Sequence, residues 1–563
     1  MTDASSTVPE APGEAPAALL ARELVTELVR AGVRHAVLAP GSRSAPLAYA
    51  LLAAHDAGWL RLHVRLDERV AGFVALGLAR AEGTPAAVVT TSGTAVANLH
   101  PAVLEADHSG IPLVVLSADR PHEVRRTGAS QTTEQVGIFA GAPRWAADLP
   151  AETAPSAARQ VVVRALAAAT GARSAEPGPV HLNVAFRDPL VPVAGWRPGS
   201  TPQPRVAVTP RGAPPPVDLP AGGRIVVVAG DAAGAQAARI AEAGGWPLLA
   251  EPTSGARSGP NVVPAYRELL AEFGGEVDGV VVLGRPTLSR PVSALLARGD
   301  VPVTVVAPTG AVWPDVAGTA TRVVEALRVT GGAAGTEWLD RWQRAGRAAA
   351  GVLAADRPLD GLAAAREVAA AAVRDEAAGR CATLVVGSSM AVRDLDLVAP
   401  AWPERLTVVA NRGVAGIDGT LSTAAGLALA DNRPVRAVVG DLTFLHDAGG
   451  LLRGELEEEV DLQVVVLNDT GGAIFATLEH GAPERSASFE RVFGTPQRAD
   501  IAALSAGYGA AHIPVRSIEQ LRSALAAPIS GRSVIEVLLD RTDLRTSRTS
   551  LTEALRKAAR ATL

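Results

Sequence analysis

The amino-acid sequence predicts an α/β protein made of three sequential, doubly wound parallel-sheet domains. The chain has 563 residues, which is too long for one hydrophobic core. Short Val-rich runs bounded by turn residues alternate with amphipathic segments, and such runs are typical of buried parallel strands. The alternation resumes after a Pro- and Gly-rich stretch and again near residue 360, which indicates repeated strand–helix units.

Composition narrows the class of protein further. The chain is 48% hydrophobic and 20% charged, with a formal net charge of −5, so we expect neither nucleic acid nor an acidic membrane surface as a partner. The single cysteine, Cys381, excludes an internal disulfide framework and a cysteine-based metal site. We find no signal peptide and no run of about 18 apolar residues. The sequence therefore predicts a cytoplasmic protein without membrane insertion.

The N-terminal half contains a tail, a domain and a linker. Residues 1–16 are Pro, Ser, Ala and Glu without periodicity and predict a disordered tail. The strand and helix patterns of residues 17–187 predict the first domain, whose last strand falls at about residues 180–185. Residues 188–222 are rich in Pro and Gly, which predicts an extended surface linker.

Two further α/β units follow. Residues 223–345 contain the strand-like runs RIVVVAG, GVVVLG and PVTVVAP. The first run faintly resembles a dinucleotide turn, but its glycines do not spell G-x-G-x-x-G, which favours an ordinary strand–turn–helix. Residues 360–563 contain TLVVGSS, LTVVANRG, RAVVGDL, LQVVVLND and SVIEVLLD, which predict the strands of a third sheet.

Two predicted strands of the third unit end in acidic turns. The run Ala437–Val439 is followed by Gly440-Asp441, and Leu462–Leu467 is followed by Asn468-Asp469-Thr470-Gly471-Gly472. Ligands of open α/β sheets bind at the carboxyl ends of strands, and Mg²⁺ accepts such oxygen donors together with phosphate oxygens. Asp, Asn and Gly are equally common in ordinary turns. These two interpretations are evenly matched on the turns alone.

Glu68 is the candidate acid of the first domain. It comes just before an apolar helical stretch containing Gly72. In a desolvated pocket a carboxylate has a raised pKa and can exchange a proton with a ring nitrogen. The alternative is an acidic residue that the helix dipole favours at a helix start.

Taken together, these features resemble the thiamine-diphosphate-dependent enzyme superfamily. The superfamily's metal motif is Gly-Asp-Gly followed, after a gap, by Asn-Asn. Here Leu442 replaces the second Gly and Asp469 stands where the second Asn is expected. A carboxylate still suits Mg²⁺, and Asn468 remains an alternative ligand.

A more specific resemblance is to the branch of this superfamily that acts in menaquinone biosynthesis. It covers nearly all of residues 20–545 and is carried by LAPGSRSAPL, RLDERVAGFVALGLA, LSADRP, NRGVAGIDG, GDLTFLHD and NDTGGAIF. It implies decarboxylation of 2-oxoglutarate and 1,4-addition of the succinyl carbanion equivalent to isochorismate, with thiamine diphosphate and Mg²⁺ or Mn²⁺. It also implies a pyrimidine-binding domain over residues 17–187, a diphosphate- and metal-binding domain over 360–563, and a homodimer that assembles into a homotetramer.

The resemblance assigns roles to individual residues. Glu68 would be the catalytic proton relay to the aminopyrimidine, and Asp441, Asp469 and the carbonyl of Gly471 would hold the metal. Cofactor contacts would come from Glu68, Ser389, Ile417, Gly440, Asp441, Leu442, Asp469 and Gly471. Substrate contacts would come from Ser42, Arg43, Arg120, Gln131, Arg290, Arg393, Arg412, Ile474 and Phe475, because bidentate guanidinium groups suit carboxylates. Arg290 rests on a plausible loop rather than on a matching motif.

Two other functions stay open from the sequence. One is another thiamine enzyme, related to acetolactate synthase or to 2-oxoacid decarboxylases, some of which carry a flavin. The other is a protein that binds thiamine diphosphate without catalysis. The presence of both Glu68 and Asp441 argues against the second, because a binding protein does not need the proton-relay acid.

Overall fold

The structure, a computed structural model, describes residues 13–310, 312–332 and 336–562. It divides into two compact units, one ending at Pro210 and the other beginning at Arg211. Strands in each sheet pair in parallel and alternate along the chain with helices, which confirms the predicted α/β class. None of the helices within these ranges is long and apolar enough to cross a membrane.

The first unit contains a six-stranded sheet. Its strands are β1 (His35–Leu38), β2 (Arg61–Val64), β3 (Ala86–Thr90), β4 (Leu113–Asp119), β5 (Trp145–Leu149) and β6 (Val180–Ala185). Its helices are α1 (Pro16–Arg30), α2 (Ala45–Asp56), α3 (Glu68–Glu82), α4 (Thr94–Ala97), α5 (His100–Ser109) and α6 (Pro155–Ala169). The strand order β2-β1-β3-β4-β6-β5 reverses direction between β1 and β3, the place where open α/β sheets bind ligands.

The second unit contains a central five-stranded sheet. Its strands are β8 (Ile225–Ala229), β9 (Leu248–Ala250), β10 (Gly279–Leu283), β11 (Val303–Val306) and β12 (Ala320–Val324), in the order β12-β11-β10-β8-β9. Two short strands, β7 (Val217–Pro220) and β13 (Leu327–Thr330), pair separately. The helices here are α7 (Gln236–Gly244), α8 (Tyr266–Phe273), α9 (Arg290–Leu296) and α10 (Thr336–Ala354).

The second unit also contains a six-stranded sheet near the C-terminus. Its strands are β14 (Thr383–Val386), β15 (Thr407–Val409), β16 (Val435–Gly440), β17 (Leu462–Asn468), β18 (Ala511–Val515) and β19 (Arg532–Leu538), in the order β15-β14-β16-β17-β19-β18. The helices are α11 (Gly361–Ala377), α12 (Met390–Val398), α13 (Thr420–Asp431), α14 (Asp441–His446), α15 (Ala473–Ala476), α16 (Ser486–Phe489), α17 (Ile501–Gly507), α18 (Ile518–Ala526) and α19 (Leu544–Arg560). The order reverses between β14 and β16, so the loops after these strands share one edge.

Two segment boundaries differ from the prediction. Up to residue 12 the predicted tail lies outside the described residues. Glu14 accepts hydrogen bonds from Arg22 and from the amide of Val193, and Pro16 begins α1, because proline suits the first helical position. The predicted linker likewise contains β7, whose mostly exposed residues show no buried strand pattern in the sequence. The three-domain division itself stays a prediction.

Helix α12 is joined to the central sheet by the buried guanidinium of Arg257. This side chain is 0% exposed and donates hydrogen bonds to the backbone carbonyls of Ala250, Asp396, Ala399 and Pro400 at 2.6–3.2 Å. Its Nη1 also lies 3.3 Å from Oδ1 of Asp396. Several carbonyls and a buried carboxylate thus satisfy a charge that burial would otherwise disfavour. The contact sets the position of α12 relative to the central sheet.

Candidate active site

A cavity of about 590 Å³ lies in the second unit at the carboxyl ends of β14, β16 and β17. Its walls come from the loops that follow these strands and β15, from α12, and from the turn after β10 of the central sheet. The site residues predicted in this unit, except Arg290, line it: Ser389, Arg393, Arg412, Ile417, Gly440, Asp441, Leu442, Asp469, Gly471, Ile474 and Phe475. The structure therefore brings together residues that are up to 86 positions apart, from Ser389 to Phe475.

The two acidic strand ends meet at this cavity. Asp441 is the first residue of α14 and is buried, and burial raises its pKa to about 6, opposed by hydrogen bonds from the amides of Leu442 and Gly471. Burial and the negative charge of Asp441 raise the pKa of Asp469 to about 7. Burial makes both carboxylates costly to charge, and the charge of Asp441 adds to that cost at Asp469, so the pair gains from a shared cation.

The side chain of Asn468 has hydrogen-bond partners, whereas one carboxylate oxygen of Asp469 has none among the described residues. The Asn468 amide donates to Oε1 of Glu536 at 2.6 Å, and its Oδ1 accepts from the amide of Thr470 at 3.1 Å. In Asp469, Oδ1 is buried with no hydrogen-bond partner among the described residues. An unsatisfied buried carboxylate oxygen calls for a ligand or ion, which favours Asp469 over Asn468 as a metal ligand.

The loop after β17 needs glycine at position 471. Gly471 has φ +137°, and a Cβ there would lie 2.1 Å from the carbonyl oxygen of Gly494. The amide of Gly472 donates to that same carbonyl at 2.8 Å. A side chain at position 471 would therefore separate this loop from the 490–494 segment.

Arg541 was not among the predicted site residues, although it lines the cavity. Its Nε donates to the carbonyl of Asp469 at 2.9 Å, and its Nη2 donates to the carbonyl of Thr470 at 3.2 Å. It also forms two hydrogen bonds with the Glu490 carboxylate, at 3.1 and 2.6 Å. In a chain whose basic residues are nearly all arginine, no sequence signal distinguishes this one.

The donor set fits a hard divalent cation held together with a diphosphate. Asp441, Asp469 and the carbonyl of Gly471 supply oxygen atoms, the donors that Mg²⁺ prefers. The described residues contain no group of three His, Cys, Asp or Glu side chains that could hold a metal alone, so phosphate oxygens and water would complete the coordination. Ser389 precedes α12, and its neighbours Ser388 and Met390 line the cavity, which places the start of that helix where a phosphate binds well.

Two arginines line the cavity beside these carboxylates. Nη1 of Arg393 donates to the carbonyl of Ser389 at 2.7 Å. Burial, together with the positive charges of Arg412 and Arg267, lowers the pKa of Arg393. Arg412 is 6% exposed and its Nη2 donates to Oγ1 of Thr287 at 2.7 Å. Thr287, which the sequence did not single out, lines the cavity as well.

Arg290 is not among the residues that line this cavity. Its guanidinium is exposed and pairs with the Glu479 carboxylate at 2.7 Å. The structure thus separates Arg290 from the other predicted arginines of this unit.

The predicted substrate-binding residues of the first unit follow β1 and β4 of its sheet. Ser42 is exposed, whereas Arg43 is buried and donates to the carbonyl of Phe186 at 2.9 Å. A Cβ at Gly41 would lie 2.3 Å from Cβ of Thr91. The GSRS turn after β1 therefore packs against the loop after β3 because position 41 has no side chain.

Arg120 and Gln131 meet at the same sheet edge. Nη2 of Arg120 donates to the carbonyl of Ser130 at 3.1 Å. Nε2 of Gln131 donates to the carbonyl of Ser92 at 3.1 Å, and the Ser92 hydroxyl donates to the carbonyl of Gln131 at 2.8 Å. These contacts bring the SADRP and SQTT segments together with the loop after β3.

Glu68 is the first residue of α3 and is half-buried. Its Oε2 accepts a hydrogen bond from Nδ2 of Asn98 at 3.3 Å. Gly72 lets α3 pack closely on α5, since a Cβ there would lie 2.9 Å from Cβ of Ala102. The carboxylate thus stands at a helix start that close packing fixes in place.

The fold and the cavity define a thiamine-diphosphate-dependent enzyme. Residues 20–138 match the family described as "Thiamine pyrophosphate enzyme, N-terminal TPP binding domain", and residues 398–537 match its C-terminal counterpart. The chain is 51% identical to the 2-succinyl-5-enolpyruvyl-6-hydroxy-3-cyclohexene-1-carboxylate synthase of Kineococcus radiotolerans, over 96% of this chain and 99% of the relative.

Two further relatives carry the same name. The protein from Arthrobacter sp. strain FB24 is 49% identical over 96% of this chain and 92% of its own length. That from Mycobacterium avium is 45% identical over 96% of this chain and 100% of its own length. The chain belongs to the 2-succinyl-5-enolpyruvyl-6-hydroxy-3-cyclohexene-1-carboxylate synthase family.

Proposed function

We propose that this enzyme decarboxylates 2-oxoglutarate and adds the resulting succinyl unit to isochorismate by 1,4-addition, with release of CO₂, in menaquinone biosynthesis. The observation that carries the proposal is one cavity in which the buried carboxylates Asp441 and Asp469 and the arginines Arg393 and Arg412 are all wall residues. The carboxylates suit a metal–diphosphate group and the arginines suit carboxylate substrates. The name shared by the relatives supports the identity of the product.

Thiamine diphosphate, when bound, supplies the electron sink for decarboxylation and carbon–carbon bond formation. We assign Mg²⁺ or Mn²⁺ to Asp441, Asp469 and the carbonyl of Gly471, and the diphosphate to the Ser389 and Gly440–Leu442 turns. Support comes from the unpartnered Oδ1 of Asp469 and from the start of α12 at the cavity wall.

Residues of the chain itself would transfer protons, orient the cofactor and keep water out of the site. Glu68 would hold and move a proton at N1′ of the aminopyrimidine, a role that suits a carboxylate at a fixed, half-buried position. Ile417 would support the bent shape of the cofactor. Ile474 and Phe475 would form an apolar wall that keeps water from the reacting carbon.

Both substrates are dicarboxylates, so their recognition requires several cations. Arg393 and Arg412 are supplied by the second unit, and Arg43 and Arg120 by the first. Ser42 and Gln131 would add neutral hydrogen bonds. Arg290 would reach a substrate only after its surface pair with Glu479 opens.

We further propose a homodimer, and a homotetramer built from it, in which Glu68 of one protomer serves the cavity of its partner. The resemblance to the superfamily supports this arrangement, and Glu68 and Asp441 belong to different compact units of the chain. A cytoplasmic location remains a prediction from the sequence.

The deciding experiment combines the purified protein with thiamine diphosphate, Mg²⁺, 2-oxoglutarate and isochorismate. We expect loss of the isochorismate absorbance together with stoichiometric release of CO₂. Omitting either substrate is the control. Turnover of pyruvate without turnover of this pair would overturn the proposed function.

A further inference from the structure

Glu251 is a buried acid of the central sheet that the proposed chemistry does not use. It follows β9 and is 3% exposed. A carboxyl group buried this deeply is costly unless hydrogen bonds satisfy it. Its Oε1 accepts from the amides of Thr287 and Leu288, each at 2.9 Å. The acid therefore fixes the turn that contains Thr287.

The same turn carries the contact to Arg412. Oγ1 of Thr287 accepts the 2.7 Å hydrogen bond from Nη2 of Arg412, and both residues line the cavity. The contacts form a series: Glu251 holds the backbone of Thr287, and the Thr287 hydroxyl holds the guanidinium. This series crosses from the central sheet to the loop after β15.

We propose that Glu251 is a positioning residue that, through Thr287, sets the guanidinium of Arg412 for a substrate carboxylate. The inference rests on the proposed function, because it takes Arg412 to be a substrate ligand. A guanidinium with a fixed orientation loses less conformational freedom when it binds a planar carboxylate. The central sheet thereby takes part in substrate recognition without contacting the reacting atoms.

The electrostatics agree with this geometry. Burial raises the pKa of Glu251 to about 8, and the amide of Leu288 opposes this rise. The negative charge of Asp396 adds to the rise, and the positive charge of Arg412 acts against it. Glu251 in turn acts against the lowering of the Arg393 pKa. Glu251 is thus close enough to both cavity arginines to influence them, while its direct contacts are the two backbone amides.

The first test compares Thr287→Val with Thr287→Ser. Valine removes the hydroxyl acceptor but leaves the amide that binds Glu251, and serine keeps both groups. We expect Thr287→Val to raise the KM of at least one of the two substrates about 10- to 100-fold. Losing a hydrogen bond to a charged group changes an equilibrium constant by about this factor. The Kd of thiamine diphosphate and kcat should change little. Thr287→Ser should keep KM within about threefold of the wild type.

The second test compares Glu251→Ala with Glu251→Gln. Glutamine retains a side-chain oxygen for both amides, so we expect it to preserve KM, whereas alanine should raise KM as Thr287→Val does. Because the contacts act in series, the double variant Glu251→Ala/Thr287→Val should be no worse than the more affected single variant. Glu242→Gln, at an exposed glutamate of α7, is the matched control and should change nothing.

The variant Arg412→Gln tests separately whether Arg412 is a substrate ligand and whether Glu251 positions it. If it raises KM while Thr287→Val and Glu251→Ala do not, the positioning role of Glu251 is wrong and the proposed function stands. If Arg412→Gln leaves both KM values unchanged, Arg412 is no substrate ligand and this inference fails with that assignment. If the fold increases in KM of the two single variants multiply in Glu251→Ala/Thr287→Val, the two residues act independently. The proposed positioning of Arg412 by Glu251 through Thr287 would then be wrong.

Discussion

The guanidinium of Arg541 holds the backbone carbonyl of Asp469 through a 2.9 Å hydrogen bond from Nε. The same group donates to the carbonyl of Thr470 and pairs with Glu490. Both carbonyls belong to the loop that carries Asp469 and Gly471. Arg541 therefore shapes the proposed metal loop, although it supplies no oxygen to a cation.

Replacing Arg541 by alanine should weaken the affinity for Mg²⁺ in the presence of thiamine diphosphate. Loss of an outer contact that orients metal ligands typically costs about 10- to 100-fold in affinity. A Mg²⁺ titration followed by tryptophan fluorescence or by the shift in Tm measures it. Arg522→Ala, at an exposed arginine paired with Glu367, is the control. Equal affinities for wild type and Arg541→Ala would contradict the role of Arg541.

Metal binding should depend on pH because of the raised carboxyl pKa values. The pKa values of Asp441 and Asp469 are about 6 and about 7 in the metal-free protein, and a cation binds the deprotonated forms. Affinity for Mg²⁺ with thiamine diphosphate should therefore fall as the pH decreases from 8 through 7 and 6. Calorimetric titrations in this range test it, and a constant affinity would show that these carboxyls are not the ligands.

The free energy of unfolding of the metal-free protein should fall as the pH rises, whereas the affinity for Mg²⁺ should increase. Both folded-state pKa values lie above the ordinary carboxyl value of 3.8, so protonation favours the folded state. This stabilisation is complete below about pH 3.8, decreases as the pH rises, and is lost once the pH exceeds the folded-state pKa values of about 6 and about 7. The increase in Tm on adding Mg²⁺ and thiamine diphosphate should accordingly be larger at pH 8 than at pH 6. Thermal melts with and without both ligands measure the difference.

Asp469→Asn isolates the second carboxylate. The amide removes a buried charge next to Asp441, so the metal-free protein should melt at a higher temperature at pH 8, while Mg²⁺ binds more weakly. Asp300→Asn, at an exposed residue paired with Arg298, should change neither quantity. An unchanged Mg²⁺ affinity in Asp469→Ala would remove Asp469 from the metal site, because alanine, unlike asparagine, offers no side-chain oxygen.

A shared site between protomers can be tested by complementation. Glu68→Gln should bind thiamine diphosphate normally and lose nearly all turnover, and Asp441→Asn should lose metal binding. If each site takes Glu68 from one protomer and Asp441 from the other, a hybrid dimer of the two variants contains one intact site. Doubly tagged, purified hybrids should therefore regain activity. Inactive hybrids would indicate sites contained within one chain.

Arg257→Met should destabilise the second unit strongly. The substitution leaves the Asp396 carboxylate buried without the guanidinium 3.3 Å away, and breaking a buried pair costs about 3–5 kcal/mol. Urea denaturation measures the loss. Arg328→Met, at an exposed pair with Asp218, should leave the stability nearly unchanged, because exposed ion pairs are screened by solvent.

Central strands could be predicted from the sequence, whereas several edge strands could not. In β4, β6 and β17 nearly every position is buried, which produces the continuous apolar runs that mark parallel strands. The edge strands β5, β12 and β18 have several exposed or half-buried positions and so show no such run. Pairing with one neighbour in the folded sheet, rather than local pattern, makes them strands.

The residues of the candidate site, like the strands, could be predicted from the sequence only in part. The meeting of Asp441 and Asp469 could be predicted because both follow apolar runs closely and parallel strands bring such ends to one edge, while their role as metal ligands came from the resemblance to the superfamily. Thr287, Glu251 and Arg541 could not, since their importance comes from contacts with residues far away in the chain. Arg412 and Thr287, for example, are 125 positions apart, and nothing in either segment indicates the other.

The buried contact of Arg257 also bears on how relatives of this enzyme could recombine. Arg257 lies in the loop after β9 of the central sheet, while most of its acceptors belong to α12 and the turn after it, 139–143 positions later. A crossover between these segments would combine the arginine of one parent with the carbonyls of another. We expect functional chimeras to inherit the central sheet and α12 from the same parent, so that these two stretches evolve as one unit.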